Sequence, residues 1–244
     1  MPALAPPPTA LPPFPGLTSG AFTFLRQLKK NNARDWFTPR KGEYNDELRD
    51  PMRCLVAQLS QELPERGLPL SGAPRRAVFR VYRDTRFSKD KTPYKTHVAA
   101  VLSRDGDKRA PGALYIHVEP GSTRVGGGFW RPDKAFLRLW RERLVADPET
   151  FLQIVADLEA AGLTVGTSGS KLTRMPRGFD DHRESPAAEY LRWKGGFAAT
   201  REDISDEAVQ SPDFAGLVME TAEQVRPLLE YGWGLVDKAD RERL

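Results

Sequence analysis

Apolar positions recur at helical spacing near both ends of the chain. Phe22, Leu25 and Leu28 share one helical face, and similar spacing returns beyond Asp35 and beyond Pro51. In the last third, aspartate or serine residues precede further apolar groups at this spacing. Such residues cap the free N–H groups of a first helical turn. Helices are therefore predicted to begin near residues 18, 35, 51, 133, 148, 185 and 212.

The middle of the chain alternates apolar and polar residues, which is the pattern of half-buried strands. Leu114, Ile116 and Val118, for example, alternate with Tyr115 and His117. Strands are predicted at residues 78–84, 94–103, 114–119, 124–125, 171–174 and 197–204. Short links between successive strands favour antiparallel pairing. The sequence thus predicts one α+β domain, with an antiparallel sheet flanked by helices and with helical N-terminal and C-terminal parts.

The first 17 residues contain seven prolines, so they are predicted to form a disordered tail ahead of a domain of residues 18–240. No apolar run approaches the roughly 20 residues that cross a bilayer, and no membrane partner is expected. The lone Cys54 cannot form an internal disulfide, and its apolar helical context predicts a packed thiol. These features indicate a globular protein of the cytoplasm.

Positive charge is concentrated in one segment, residues 75–97. The segment has eight Lys or Arg and two Asp, a net charge of +6, while the whole chain carries +4, so the remainder sums to −2. Guanidinium forks and backbone N–H groups in a turn suit phosphate or carboxylate, and an anion-binding surface is predicted. The alternative is a solvated edge strand whose charges prevent aggregation. The cations expected to converge are Arg80, Arg83, Arg86, Lys89, Lys91 and Lys95.

Three consecutive glycines, Gly126, Gly127 and Gly128, interrupt a strand pattern just before Trp130. Glycine in a strand loses packing and marks a bulge or the close approach of a ligand. A strand-to-helix corner with positive φ explains the run equally well. Trp130 covers a ligand in the first interpretation and packs in the core in the second.

His117 and Glu119 fall on one face of a predicted strand, and His97 joins them if the neighbouring strand pairs with it. Such a set suits an acid/base pair or a metal ligand set. H-x-E is nevertheless common by chance, and no helical two-His motif accompanies it. A hydrogen-bonded polar face is therefore favoured, and no metal and no cofactor are predicted.

Several sequence blocks follow one another along the chain. They are Phe24-Leu25-x-x-Leu28, Asn31-Asn32-x-Arg34-x-Trp36-Phe37, Arg83-Asp84-x-Arg86-Phe87-Ser88-x-Asp90-Lys91-x-Pro93-Tyr94-Lys95, Tyr115-x-His117-x-Glu119-Pro120, Gly127-Gly128-x-Trp130-x-Pro132 and Leu172-x-Arg174-x-Pro176-x-Gly178. Together they resemble a widespread microbial domain-of-unknown-function family over residues 22–237. The resemblance implies no assigned activity, cofactor or substrate. It implies that the family shares the positions Asn31, Asn32, Arg34, Trp36, Arg83, Arg86, Asp90, Lys91, Tyr94 and Lys95.

These observations favour a basic, aromatic-lined cleft that binds a small anionic molecule. An enzyme that uses His117 and Glu119 as acid and base on a charged substrate is one alternative. Another is an interaction module that docks nucleic acid or an acidic protein on a flat basic strip. The expected ligand-binding residues are Arg80, Arg83, Arg86, Lys91, Tyr94, Lys95, Tyr115, Asn31, Asn32, Arg34, Gly127, Gly128 and Trp130.

Overall fold

A computed structural model describes residues 11–168 and 171–242. The chain forms a single α+β domain around a five-stranded sheet of order β1-β2-β3-β5-β4. Every neighbouring pair of strands is antiparallel, which confirms the predicted fold class. The strands are β1 Val98–Ser103, β2 Ala113–Val118, β3 Thr123–Phe129, β4 Thr164–Ser168 and β5 Gly196–Ile204.

Helices precede and follow this sheet. The α-helices are α1 Ser19–Lys30, α2 Arg34–Phe37, α3 Lys41–Tyr44, α4 Asp50–Glu65, α5 Pro74–Ala77, α6 Lys134–Ala146, α7 Pro148–Ala160, α8 Ala188–Leu191, α9 Asp206–Gln210 and α10 Phe214–Arg241. Thr18, Asp133 and Asp147 cap α1, α6 and α7 by accepting hydrogen bonds from first-turn N–H groups, as their sequence context indicates. No helix in the described part of the chain is long and apolar enough to span a membrane.

The predicted break at Asp50-Pro51 is absent, because the helix continues through it. A π-helix, Asn45–Arg49, joins α3 directly to α4, and Arg49 keeps helical backbone angles. The Asp50 carboxylate accepts hydrogen bonds from the Arg49 and Arg53 guanidinium groups instead of capping a new helix. Pro51 has no backbone N–H to donate into this continuous helix, and it lies two residues after the end of the π-helical turn.

One face of the sheet carries the core. The long helix α10 packs against β3, with Val225 and Leu229 close to the face on which Gly127 lies. Aromatic rings extend this core towards α6, where Trp140 lies 4.1 Å from Phe197 between ring centroids. The other face of the sheet carries Tyr115, His117 and small residues, so it is the face on which polar chemistry is possible.

The packed part of the chain starts before residue 18, where the sequence placed the domain boundary. Phe14 and Leu17 are buried, and the Leu17 N–H donates to the Val209 carbonyl at 3.0 Å. Phe14 also contacts the Phe214 ring, 6.1 Å away between centroids. Prolines here produce an extended segment that lies on the domain. The rest of the predicted tail, residues 1–10, is outside the described residues.

Two predicted strands do not form. Residues 78–84 make only isolated bridges, Val78 to Ala100 and Tyr82 to Tyr94, because this segment leaves the sheet after one contact. Residues 171–174 are irregular, and the strand of this region lies earlier, at β4. The predicted strand at 94–103 begins only at Val98, whereas the one predicted at 197–204 is confirmed as β5.

Candidate functional site

The turn of residues 83–92 neutralises much of its own charge. Arg83 Nη1 donates to Asp90 Oδ2 at 2.5 Å, and Arg86 binds Asp84 through Nε and Nη2 at 3.0 and 2.8 Å. Lys91 donates to the Thr85 carbonyl at 2.9 Å. We call residues 83–92 the basic turn. Of the predicted anion ligands, Arg83, Arg86 and Lys91 therefore hold this turn together.

The acids of the basic turn are held ionised by these contacts. Hydrogen bonds from Arg86 lower the pKa of Asp84 to about 2. The Thr92 backbone N–H and the Arg83 side chain lower the pKa of Asp90 to about 2. Both carboxylates are exposed, so the effect on stability is reduced by solvent.

Acid should loosen the basic turn. A carboxyl whose pKa is lowered on folding stabilises the fold above its unfolded pKa, near 3.9, and stops doing so as pH falls through its folded value. We expect the melting temperature to fall more steeply between about pH 4 and pH 2 in the natural chain than in an Asp84→Asn/Asp90→Asn variant. Thermal unfolding in buffers of equal ionic strength measures this. Equal slopes would show that these contacts do not persist in solution.

A second group of cations surrounds a hollow of about 130 Å³ between the α3–α4 helical segment and residues 75–82. We call this hollow the basic pocket. Its volume leaves room for several waters or for one small anion. Arg80 is the one predicted ligand in it. Its charged and hydroxyl-bearing lining residues are Lys41, Tyr44, Arg49, Arg53, Arg75, Arg80 and Tyr82.

Most of these cations have no acid beside them. Arg49 and Arg53 share Asp50, at 3.3 and 2.8 Å. Within residues 11–168 and 171–242, Lys41, Arg75 and Arg80 make no ion pair with a carboxylate. Like charges that face one pocket without counter-ions raise the local concentration of anions.

Two hydrogen-bond donors that line the pocket also lack partners in the described part of the chain. Tyr44 is 3% exposed, and its hydroxyl makes no hydrogen bond to any described residue. Burial raises the pKa of Tyr44 to about 12, although Arg49 and Arg53 act in the opposite direction. Tyr44 is therefore a neutral hydrogen-bond donor. The buried Arg53 Nε has no partner among the described residues either. Such groups favour a ligand that accepts hydrogen bonds.

Helical spacing aligns part of this pocket. Lys41, Asn45, Arg49 and Arg53 follow one another four residues apart. In a regular α-helix, each such step moves a side chain about 40° around the axis. The wider π-helical turn at Asn45–Arg49 reduces that drift, and π-turns are frequent at functional sites.

Asn31, Asn32 and Tyr94 hold the chain together beside the basic turn. Asn32 Nδ2 donates to the Tyr94 carbonyl at 2.9 Å, and its Oδ1 accepts from the Tyr94 N–H at 3.0 Å. The Tyr94 ring stacks on Phe37 at 4.2 Å, and Asn31 caps α1 through the Gln27 carbonyl. These contacts dock residues 75–97 onto the first helices. Arg34, the remaining predicted ligand here, lies exposed nearby.

The glycine run serves close backbone packing. A Cβ at Gly128 would lie 2.1 Å from the Phe197 carbonyl oxygen, and one at Gly127 would lie 2.6 Å from Val225. Neither residue has a positive φ, so the predicted strand-to-helix corner is not the reason. Trp130 is 67% exposed, with the Arg131 guanidinium 5.8 Å from its ring. None of these three residues lines the basic pocket.

Tyr115, His117 and Glu119 alternate along β2 and just beyond it, on the outer face of the sheet. The Tyr115 hydroxyl and His117 Nδ1 are 3.0 Å apart, and His117 Nε2 lies 3.4 Å from Glu119 Oε2. The His97 ring lies 4.1 Å from the His117 ring. We call His97, His117 and Glu119 the histidine cluster. The sequence placed all three on one face, and the β1–β2 pairing brings them together.

Burial determines the protonation of the histidine cluster. Burial and, to a smaller extent, the neighbouring His117 lower the pKa of His97 to about 4. Burial and Arg124 lower the pKa of His117. Burial raises the pKa of Glu119, but hydrogen bonds from His117 and Thr96 outweigh it and leave the pKa below its usual value. Two neutral imidazoles thus stand beside an ionised carboxylate.

Glu119 opens into a hollow of about 290 Å³ that is separate from the basic pocket. Lys29 Nζ lies 3.6 Å from Glu119 Oε1, and Thr96 donates to the same oxygen at 3.1 Å. Lys95 lies between the two sites. It donates to the Arg80 carbonyl at 2.8 Å and lies over the Phe79 ring, which in turn contacts Tyr115.

The fold and these sites define a single-domain α+β protein with a basic pocket and, on the outer sheet face, a separate histidine cluster. The chain belongs to the family described as conserved hypothetical protein (DUF2461), whose model matches residues 20–231. This confirms the resemblance found in the sequence blocks. Neither a curated protein nor a solved structure matches the chain.

Proposed function

We propose that the protein binds a small anionic ligand through a phosphate or carboxylate group in the basic pocket. The observation that carries this proposal is the combination, around one hollow, of cations without an ion pair and the unpartnered hydroxyl of the otherwise buried Tyr44 side chain. Lys41, Arg75 and Arg80 line the hollow, are exposed and make no ion pair among the described residues, so a ligand that enters from solvent can reach their charge. Arginine forks and a neutral phenol are complementary to an oxyanion.

The proposed ligand class is the one expected from the sequence, but the residues proposed to contact the ligand differ from those predicted. Arg80 stays in the set, and Lys41, Tyr44, Arg49, Arg53 and Arg75 join it, because these groups share the hollow. Arg83, Arg86 and Lys91 leave it, because they do not line this hollow and each already donates a hydrogen bond within the basic turn.

A pocket favours a small ligand over a long polymer. Nucleic acid or an acidic protein would need a continuous strip, and binding to a strip would weaken steeply with salt. The enzyme alternative needs His117 and Glu119 in the same cavity as the arginines, whereas Glu119 lines the other hollow. Cys54 is a free, buried cysteine, in agreement with the proposed place of the protein in the cytoplasm.

Tyr44→Phe tests this proposal because it removes only the hydroxyl oxygen that we expect to bind the anion. We expect the variant to bind inorganic phosphate or pyrophosphate about tenfold more weakly, since a hydrogen bond to a charged group contributes about 1.5–3 kcal/mol. Its unfolding free energy should be unchanged or slightly higher, because the hydroxyl has no partner in the fold. Isothermal titration calorimetry and urea unfolding, in buffers matched for ionic strength, provide the two measurements.

Tyr190→Phe is the matched control. Tyr190 is a half-buried tyrosine whose ring packs on Phe151 and Trp193, outside the pocket. This control should bind phosphate like the natural chain. If phosphate raises the melting temperature no more than chloride at equal ionic strength, or if both tyrosine variants bind equally, the pocket is not the anion site.

A further inference from the structure

The histidine cluster combines three potential metal ligands from two adjacent strands. His97 precedes β1 directly, and Glu119 follows β2 directly, so the two residues meet across the end of the β1–β2 ladder. His117 lies two residues before Glu119 on the same face. One ligand atom from each of the three residues lies within 4.8 Å of the others.

We propose that His97, His117 and Glu119 bind one divalent first-row transition metal ion. Two imidazole nitrogens and one carboxylate oxygen form a donor set that such ions prefer over Mg²⁺ or Ca²⁺, which take oxygen ligands. Three protein ligands leave at least one coordination position open, which distinguishes an active-type site from a closed structural site. The inference does not depend on the basic pocket.

Outer contacts already orient these ligands. Tyr115 hydrogen-bonds with His117 Nδ1, which leaves Nε2 directed at Glu119. Thr96 holds Glu119 Oε1, so Oε2 faces the imidazole. Metal-binding histidines and carboxylates are usually held by such second hydrogen bonds. His97 makes no hydrogen bond to any described residue, so its ring nitrogens are available.

Solvent access to the histidine cluster and the charges around it are consistent with a metal ion that also binds an anionic ligand. The hollow at Glu119 gives a path from solvent to the carboxylate. Lys29 lies 3.6 Å from Glu119, and Arg124 is the cross-strand neighbour of His117. These two cations oppose a bare divalent ion. An anionic ligand at the open coordination position would offset that repulsion.

Cobalt(II) tests the proposal directly, because its visible absorption reports coordination. Tag-free, chelator-treated full-length protein is titrated with Co²⁺ while absorption and heat are measured. We expect one ion per chain, with the absorption band of a low-symmetry four- or five-coordinate site, and its loss on addition of excess Zn²⁺. His97→Ala and Glu119→Gln should each weaken binding by about 100-fold or more, beyond the 10–100-fold loss typical of outer contacts.

His182→Ala and Cys54→Ser are the matched controls, since they remove the third histidine and the thiol away from the cluster. Both should bind Co²⁺ like the natural chain. His97 and Glu119 are only partly buried, so their variants should fold, and circular dichroism checks this. Octahedral, non-saturating binding overturns the proposal. Retention of the site in the His97→Ala/Glu119→Gln double variant, or its loss in either control, overturns it as well.

Discussion

Gly128→Val is expected to destabilise the folded chain by roughly 4 kcal/mol or more, a large part of the stability of an ordinary domain. A Cβ at this position would lie 2.1 Å from the Phe197 carbonyl oxygen and 2.5 Å from the Ala198 Cα. Both are backbone atoms of β5, a strand paired on both sides. They cannot move aside without disturbing two ladders at once, so the added atoms produce strain that repacking does not relieve.

Gly166→Ala provides the matched control. Gly166 pairs with Ala198 from the β4 side, as Gly128 does from the β3 side, but a Cβ there meets no atom within 4 Å. We expect its unfolding free energy to change by less than about 0.5 kcal/mol. Urea unfolding followed by tryptophan fluorescence measures both variants. A Gly128→Val protein of natural stability would refute the close approach of β3 to β5.

Strands of the sheet could be predicted from the sequence where apolar and polar residues alternate strongly. The strength of this alternation explains which strand predictions were confirmed and which were wrong. Leu114, Ile116 and Val118 fill one face of β2, so its period of two is plain. β4 is a short strand at the sheet edge with Thr164, Val165 and Gly166, and it lacks such alternation. Residues 78–84 alternate well but make only isolated bridges, because pairing depends on a partner strand that local pattern does not specify.

Charge counting indicated the segment of residues 75–97, but it did not indicate all the cations of the proposed anion site. A window over residues 75–97 sums charges without showing which of them are paired, and Asp84 and Asp90 bind Arg86 and Arg83 locally. The further cations of the proposed site, Lys41, Arg49 and Arg53, lie on the helical segment that packs opposite. Their four-residue spacing from Lys41 to Arg53 was visible in the sequence, whereas the approach of that helix to Arg75 and Arg80 is a tertiary contact.

The glycine run was expected to mark a bulge, the close approach of a ligand or a corner with positive φ, and in the structure it lies against neighbouring protein atoms. The Gly126–Gly128 run allows β5 and α10 to come near the backbone of β3, and no ligand is needed to explain it. The histidine cluster was easier to predict from the sequence than the basic pocket. Once β1 and β2 pair, the alternation of Tyr115, His117 and Glu119 places all three on the outer face with His97 beside them.

Arg75→Ala/Arg80→Ala is expected to weaken phosphate binding by about 100-fold or more, since each lost charged contact contributes about 1.5–3 kcal/mol. Neither side chain pairs with an acid in the described part of the chain, so their positive charge is available to a ligand. The control is Arg86→Ala/Lys91→Ala, which removes the same charge from the same segment but outside the pocket. Calorimetric titration with phosphate should show a large loss for the first variant and a small one for the control.

Stability should move in the opposite direction from binding in the pocket variant. Five cations line one hollow, and among the described residues Asp50 alone forms ion pairs with any of them, so removal of two cations should relieve repulsion and leave the unfolding free energy equal or higher. The control loses the contacts of the basic turn and should be equal or less stable. A ligand site is commonly maintained at some expense of stability, whereas structural arginines stabilise the fold. If the pocket variant loses stability and keeps its phosphate affinity, Arg75 and Arg80 are structural and the proposed anion site is wrong.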